Sequence, residues 1–179
     1  MADKVIQGVN LIYLMRLENE TGNAWSIGYD TDSSTSESRS YDTEATKFGS
    51  VMSVGAYEGA HSLSALYANR QSAEDKVTTL RDKCIRAKNP ARIVVWEINA
   101  SDINETDTTT LTGHMSIDRV NSVDVTGGAE GSATVDIETQ IDEGPVSGQV
   151  NVTDALKNML VQVANELEFM QPTDNTGEL

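Results

Sequence analysis

Apolar residues recur with period two through most of the chain. In VIQGVNLIYLMRLE, Val5 to Glu18, one face carries Val9, Leu11, Tyr13, Met15 and Leu17. Ile12 and Leu14 share the other face with Asn10 and Arg16. A strand that is apolar on both faces is central or covered by something. ENETGN then turns the chain, and AWSIGYD, Ala24 to Asp30, reads as a second strand. The pattern breaks at TDSSTSESRSYDTEATKFG, Thr31 to Gly49, which has almost no large apolar residue before Tyr41. Its Ser, Thr, Asp and Glu content is that of a flexible linker. Alternation resumes in two further strands, VMSVGAYEG and HSLSALYAN, through Met52 and Val54, then Leu63, Ala65 and Tyr67.

A helical period replaces the strand period after Ser72, a good N-cap with Glu74 and Asp75 in the first turn. Val77, Leu80, Cys84 and Ala87 recur at spacings of three and four, and Asn89-Pro90 ends the helix. ARIVVWEIN, Ala91 to Asn99, is a buried-type strand by its β-branched run, and ASDINETDTTT is a loop. LTGHMSIDRVNSVDV and SATVDIETQID read as paired strands joined by TGGAEG. In the first of these, Met115 and Ile117 alternate before the phase slips to Val120, Val123 and Val125, which predicts a bulge near Arg119 to Ser122. In the second, Ala133, Val135, Ile137 and Ile141 take one face, against Thr134, Asp136, Glu138 and Gln140. EGPVSGQVNV is a turn and short strand. TDALKNMLVQVAN, capped by Thr153, is a second helix, and ELEFM can return as a strand. The last residues, 172–179, form a frayed tail. The fold class expected is α+β, mainly antiparallel β: a β-sandwich or barrel with a flanking α-helix.

Charge sharpens this picture. The 179 residues carry a net −15, distributed unevenly. Residues 1–98 hold 13 acidic and 11 basic side chains, whereas residues 99–179 hold 15 acids against Arg119 and Lys157 alone. An acidic field of this size repels phosphate backbones over about 8–10 Å, which argues against nucleic-acid binding through a basic patch. A soluble acidic surface is the plain alternative. One cysteine, Cys84, excludes an intrachain disulfide, and its place on the helix stripe marks it as a small buried hydrophobe. No signal peptide or membrane span is expected, because no apolar run follows basic residues at the N-terminus and no window of eighteen apolar residues exists.

Candidate chemistry is sparse. His61 and His114 each stand alone among Ser, Thr and Gly, without HxH or HExxH spacing, and read as surface or pore-lining residues. No GxSxG elbow or phosphate loop occurs. Ser101 to Asp107 and Ile141 to Gly144 carry oxygens that could hold calcium, but at a spacing that fits no calcium loop. Asp136 and Glu138 share a strand face, where a solvated surface explains them better than acid/base work on a sugar. No catalytic, cofactor-binding or metal residue is assigned.

Along much of its length the sequence resembles the major tail tube proteins of long, non-contractile-tailed phages. The resemblance runs in order through QGVNLIYLMRLE, AWSIGYDTD and the Ser-Arg…Asp-Thr…Thr-Lys-x-Gly arrangement at the end of the polar stretch. It continues through SLSALYA, the charged helix, RIVVWEIN, LTGHMSI and GPVSGQVNVTDALKN. The acidic, Lys/Arg-poor second half and a less regular loop at Ser33 to Ser40 depart from the family pattern.

The resemblance implies a single tail tube domain over residues 1–179 and a structural, non-enzymatic virion protein without cofactors. Six copies would close a ring, and rings would stack into a tube in the virion tail, assembled in the host cytoplasm. The tube would hold the tape-measure protein, meet tail terminator and distal tail proteins, and pass DNA without binding it. Residues 31–49 then become a long hairpin or loop arm reaching another subunit or ring, with Ser38, Arg39, Asp42, Thr46, Lys47 and Phe48 as contact candidates. The faces of Asp118, Asp124, Asp136 and Glu138 are expected to line the channel, with outer solvent as the alternative. The competing reading is a monomeric acidic β-sandwich module that binds carbohydrate or calcium.

Overall fold

The computed structural model describes residues 11–22, 24–26, 29–30, 32–66, 71–99, 110–127 and 133–151. The expected second helix at 153–165, the loop at 101–107 and the tail at 172–179 lie outside them, as does the start of the first strand before Leu11. Seven strands are formed: β1 (Leu11–Leu17), β2 (Tyr29–Asp30), β3 (Ser34–Thr46), β4 (Gly49–Leu66), β5 (Ile93–Asn99), β6 (Thr110–Thr126) and β7 (Thr134–Asn151). Between β4 and β5 lies helix α1 (Gln71–Leu80), which widens into a π-turn over Arg81–Ile85. All seven strands belong to one sheet in the order β1-β5-β6-β7-β4-β2, with β3 also paired to β4. The pairings of β4 with β2, β3 and β7 are antiparallel. The mainly antiparallel β fold with a helix is therefore as expected.

The chain divides into two compact units. In one, comprising 1–12, 97–114 and 147–179, Ile98 and Leu111 are buried and Ser147 Oγ lies 3.1 Å from His114 Nδ1. The other, comprising 13–96 and 115–146, holds most of the described core.

In this larger unit the sheet curls. Strand β1 stands at one end of the strand order, yet Met15 exchanges two 2.9 Å backbone hydrogen bonds with Trp25. Tyr13 Oη lies 3.2 Å from Thr35 Oγ1 of β3, and its ring stands edge-on to His61 of β4 at 6.0 Å. An edge strand with unpaired N–H and C=O groups facing water is a liability, and Trp25 covers this one. That is why β1 is apolar on both faces: Tyr13, Leu14, Met15 and Leu17 are all buried. Strand β5 follows suit with Ile93, Val94 and Val95. Fully burying a side chain of this kind contributes about 1.5–3 kcal/mol.

The helix contributes most of the stripe that its spacing predicts: Val77, Leu80 and Cys84 are buried, whereas Ala87 is half-buried past the last helical residue, Ile85, and Ser72 lies inside the helix rather than capping it. It ends through the π-turn, where the Arg86 N–H reaches back five residues to the Arg81 carbonyl at 2.8 Å. At the same turn the Arg81 guanidinium donates to the Val123 carbonyl of β6 from Nε and Nη2, at 3.2 and 3.0 Å. Such a widened turn re-aims side chains locally. Burial pushes the Cys84 thiol up to about 11. At another corner Arg92, entering β5, is bidentate to Glu18 and also donates to Asp142 and Glu143. Arg119 of β6 shares Asp142. Arg119 and Arg92 hold the Asp142 carboxyl below its usual range.

Strands β4, β6 and β7 correct three expectations. VMSVGAYEG and the described part of HSLSALYAN, His61 to Leu66, lie in one continuous strand, β4, and the turn expected at 143–145 does not occur: β7 runs through cis Gly144-Pro145. Along β6 the buried positions are Leu111 and Gly113, then Ser116, Asp118 and Val120, then Val123. The phase thus slips twice, once at His114–Met115, both exposed, and again between Val120 and Val123 where a slip is expected. The first slip points Met115 outward and brings Ser116 and Asp118 inside.

As a result, Asp118 and His61, both expected at solvent, are buried at 0% and 3% exposure. Asp118 Oδ2 lies 2.7 Å from His61 Nδ1 and accepts from Thr139 Oγ1 at 2.5 Å, while Oδ1 accepts from Ser116 Oγ at 2.6 Å. A carboxyl removed from water persists only when its lone pairs are met in this way. The set ties β4, β6 and β7 together at the centre of the curl.

Two outcomes follow. In urea denaturation of the dispersed chain, followed by fluorescence of Trp25 and Trp96, Asp118→Ala should lower stability by about 3 kcal/mol, because three buried partners lose their acceptor. Cys84 should resist a thiol reagent at pH 8 in the folded chain and react fully in denaturant; immediate reaction in the native protein contradicts the packing described.

Candidate assembly interface

Strands β3 and β4 extend well beyond the part of β4 that pairs with β7. Pairing of β4 with β7 spans Ala60↔Gln140 to Leu66↔Thr134, whereas pairing of β3 with β4 continues out to Thr46↔Gly49. The stretch Thr31 to Gly49, linker-like by composition, is thus largely the first strand of a long hairpin. All 13 residues of β3 are exposed. A two-stranded ribbon with water on both sides has no buried face, so its sequence shows no apolar period. Its Ser, Thr and Tyr content still suits extended backbone.

The base of the hairpin is fixed by side chains. Tyr57 Oη donates to Glu37 Oε1 at 2.6 Å, and the Arg39 guanidinium lies 5.8 Å from the Tyr57 ring centroid. Burial and the Glu37 carboxylate push the Tyr57 phenol up to about 12, so it remains a donor across the physiological range. Gly59 gives way to two neighbours: a Cβ there would stand 2.6 Å from Tyr57 Oη and 2.8 Å from Ile141 Cδ1.

Midway, the register changes. Arg39 pairs with Tyr57, but Tyr41 pairs with Val54, so Ser40 lies opposite both Gly55 and Ala56. This is a β-bulge on β4. Gly55 is required there, since a Cβ would fall 2.0 Å from Ser40 Oγ and 2.9 Å from the Ser40 carbonyl oxygen. At the tip, Thr46 Oγ1 donates to the Gly49 carbonyl at 2.7 Å and accepts from the Phe48 N–H at 3.3 Å. Gly49 takes φ +129° there, a conformation favouring glycine.

The arm candidates Ser38, Arg39, Asp42, Thr46, Lys47 and Phe48 all lie on this hairpin and are exposed. Beyond the bulge it also exposes Tyr41, Val51, Met52 and Val54 by 58–66%, and the Phe48 side chain is fully exposed. Soluble chains seldom hold so many large apolar groups in water at one place unless something covers them.

The channel candidates separate. Asp136 and Glu138 share the face of β7 opposite Val135, Ile137 and Thr139, each beside a serine of β4. Ser64 Oγ donates to Asp136 and Ser62 Oγ to Glu138, at 2.5 and 2.7 Å. Asp124 is exposed on β6. Asp118 is not among them; the double slip of β6 turns it inward. The carboxylates of Asp142 and Glu143, weighed above as calcium ligands, are instead engaged by Arg92 and Arg119. Among the described residues no three His, Cys, Asp or Glu side chains gather as a metal site.

One sign of the buried polar set was present in the sequence. Thr139 falls on the same β7 face as Val135, Ile137 and Ile141, and His61 on the same β4 face as Leu63. A polar residue on an otherwise apolar face needs a buried partner.

No known family's sequence profile matches the chain, and no curated protein matches it. Solved structures do. The SPP1 tail tube is similar with a TM-score of 0.67 at 19% identity, covering 97% of this chain and 96% of that one. The tail of an empty GTA particle, a helical structure with C6 symmetry, gives 0.51 at 12% identity over 82% and 98%. The tube-terminating cap of the anti-feeding prophage gives 0.51 at 12% identity over 85% and 95%. The chain shares the fold of these proteins.

Proposed function

We propose that this chain is a tail tube subunit, a structural and non-enzymatic protein that associates with its own copies. The observation that carries this reading is the β3–β4 hairpin, whose large apolar side chains lie in water on a chain with the tail tube fold. An oligomer that buries these groups removes their cost. In the finer reading, six copies close a ring and rings stack into the tube of a virion tail. That tube, assembled in the host cytoplasm, encloses a tape-measure protein, meets terminator and distal tail proteins at its ends, and passes DNA.

The polar face of Asp136 and Glu138, together with Asp124, is assigned to the channel. DNA binding draws on release of counterions displaced by Lys and Arg, so a wall of carboxylates and hydroxyls gives passing DNA no grip. The short Ser62–Glu138 and Ser64–Asp136 bonds hold these carboxylates against the sheet.

Negative-stain microscopy and light scattering of the purified chain should show tubes or stacked rings; a strict monomer at every concentration would sink the reading. Deletion of residues 41–54, joining Ser40 to Gly55, should leave a folded monomer that does not polymerise. This cut spares the base bonds Tyr13–Thr35 and Tyr57–Glu37. Normal tubes from the deleted chain would remove the arm from the assembly. For the channel, Glu138→Cys coupled to biotin before assembly offers a location test, since streptavidin cannot enter a narrow tube. Undecorated walls are expected, and decorated walls would place this face outside.

A further inference from the structure

The hairpin is not uniformly sticky. Paired residues in an antiparallel ladder share a side. On one side lie Tyr41↔Val54, Thr43↔Met52 and Ala45↔Ser50; on the other lie Asp42↔Ser53 and Glu44↔Val51. The first side carries no charge and three large apolar groups exposed by 60–66%, Tyr41, Met52 and Val54. The second carries both carboxylates of the distal hairpin.

We propose that the Tyr41–Met52–Val54 row is the face on which a second copy of this chain packs, with the Gly55–Ala56 bulge fixing its direction. This rests on the tail tube reading above and goes further in naming one side of the arm and the device that sets it. Charge selects the occupant. A chain of net −15 meeting its own copy meets repulsion, so the contact has to be apolar with carboxylates kept off it. The distal hairpin has that segregation: Asp42 and Glu44 both point away from the row. A basic partner would be met by the acidic side instead. Area agrees: the row offers on the order of 400 Å² of apolar surface, a patch of interaction size and about half of one partner's share of a standard interface.

The bulge is what places these residues together. Had the pairing of Arg39 with Tyr57 continued without it, Asp42 would face Val54 and Glu44 would face Met52, mixing acids into the row. Because Ser40 spans both Gly55 and Ala56, β4 absorbs one extra residue and Val54 and Met52 come round to the side of Tyr41. The row then continues the side of the sheet on which His61 and Leu63 are buried.

The test compares two sets of substitutions by pelleting and negative-stain microscopy, with thermal melts as a check on folding. Tyr41→Thr with Met52→Thr and Val54→Thr should cut the pelletable fraction about tenfold or more, the loss of one ordinary apolar contact. Asp42→Asn with Glu44→Gln should assemble at least as well as the parent chain. Register is tested apart from composition. Gly55→Val should block assembly, and removal of Ala56 in the same chain should restore it, because the enlarged residue then faces Ser40 in a regular ladder. Hydrogen exchange on the unmodified protein gives an independent measure: amides 41–54 should be protected in tubes and open in the monomer.

Normal assembly of the row variant, equal loss from the acidic-side variant, or failure of the Ala56 deletion to rescue would each overturn the inference while leaving the tail tube reading intact. An unmodified chain that never assembles would overturn that reading first, and the row with it.

Discussion

Every strand edge in a sheet must be paired, covered or handed to a neighbour, and this requirement organises the molecule. The curl brings β1 round toward β3 and β4. Trp25 supplies the two backbone bonds that Met15 lacks. With that edge closed, the inner face becomes a core and the apolar doubling of β1 makes sense. The edges left open belong to the hairpin, where β4 has outrun β7 and β3 pairs with β4 alone among the described strands.

The closed part is held by two polar devices of opposite character. Asp118 sits out of water and is met by His61, Ser116 and Thr139, so it joins strands at a cost that only good geometry offsets. Arg92 lies toward solvent and gathers Glu18, Asp142 and Glu143, a network whose strength falls with salt. The first specifies which strands lie together; the second draws β1, β5 and β7 together at the start of β5. Asp118 ties β4 into the core at His61, whereas past Tyr57 β4 pairs with β3 alone among the described strands.

Much of this was legible in the sequence. Period-two alternation located β1, β6 and β7, the β-branched run located β5, and Val77, Leu80 and Cys84 of the expected helix stripe are buried. Three features were not legible, each for a physical reason. β3 carries no apolar period because neither of its faces is buried, so composition made Ser34–Thr46 look like a linker. The β6 phase slip at His114–Met115 hid Asp118, because alternation counted from Met115 assigns each residue to the wrong side. His61 looked solitary because its partner lies 57 residues away, and spacing rules see only neighbours.

The charges along β3 acquire a second meaning from its open edge. A strand of 13 residues without proline, exposed along its length, is a template for uncontrolled pairing. Glu37, Arg39, Asp42 and Glu44 break that edge into short neutral runs, which blunts it as a template. The same strand that carries part of the proposed contact row is thereby kept from pairing indiscriminately along its edge.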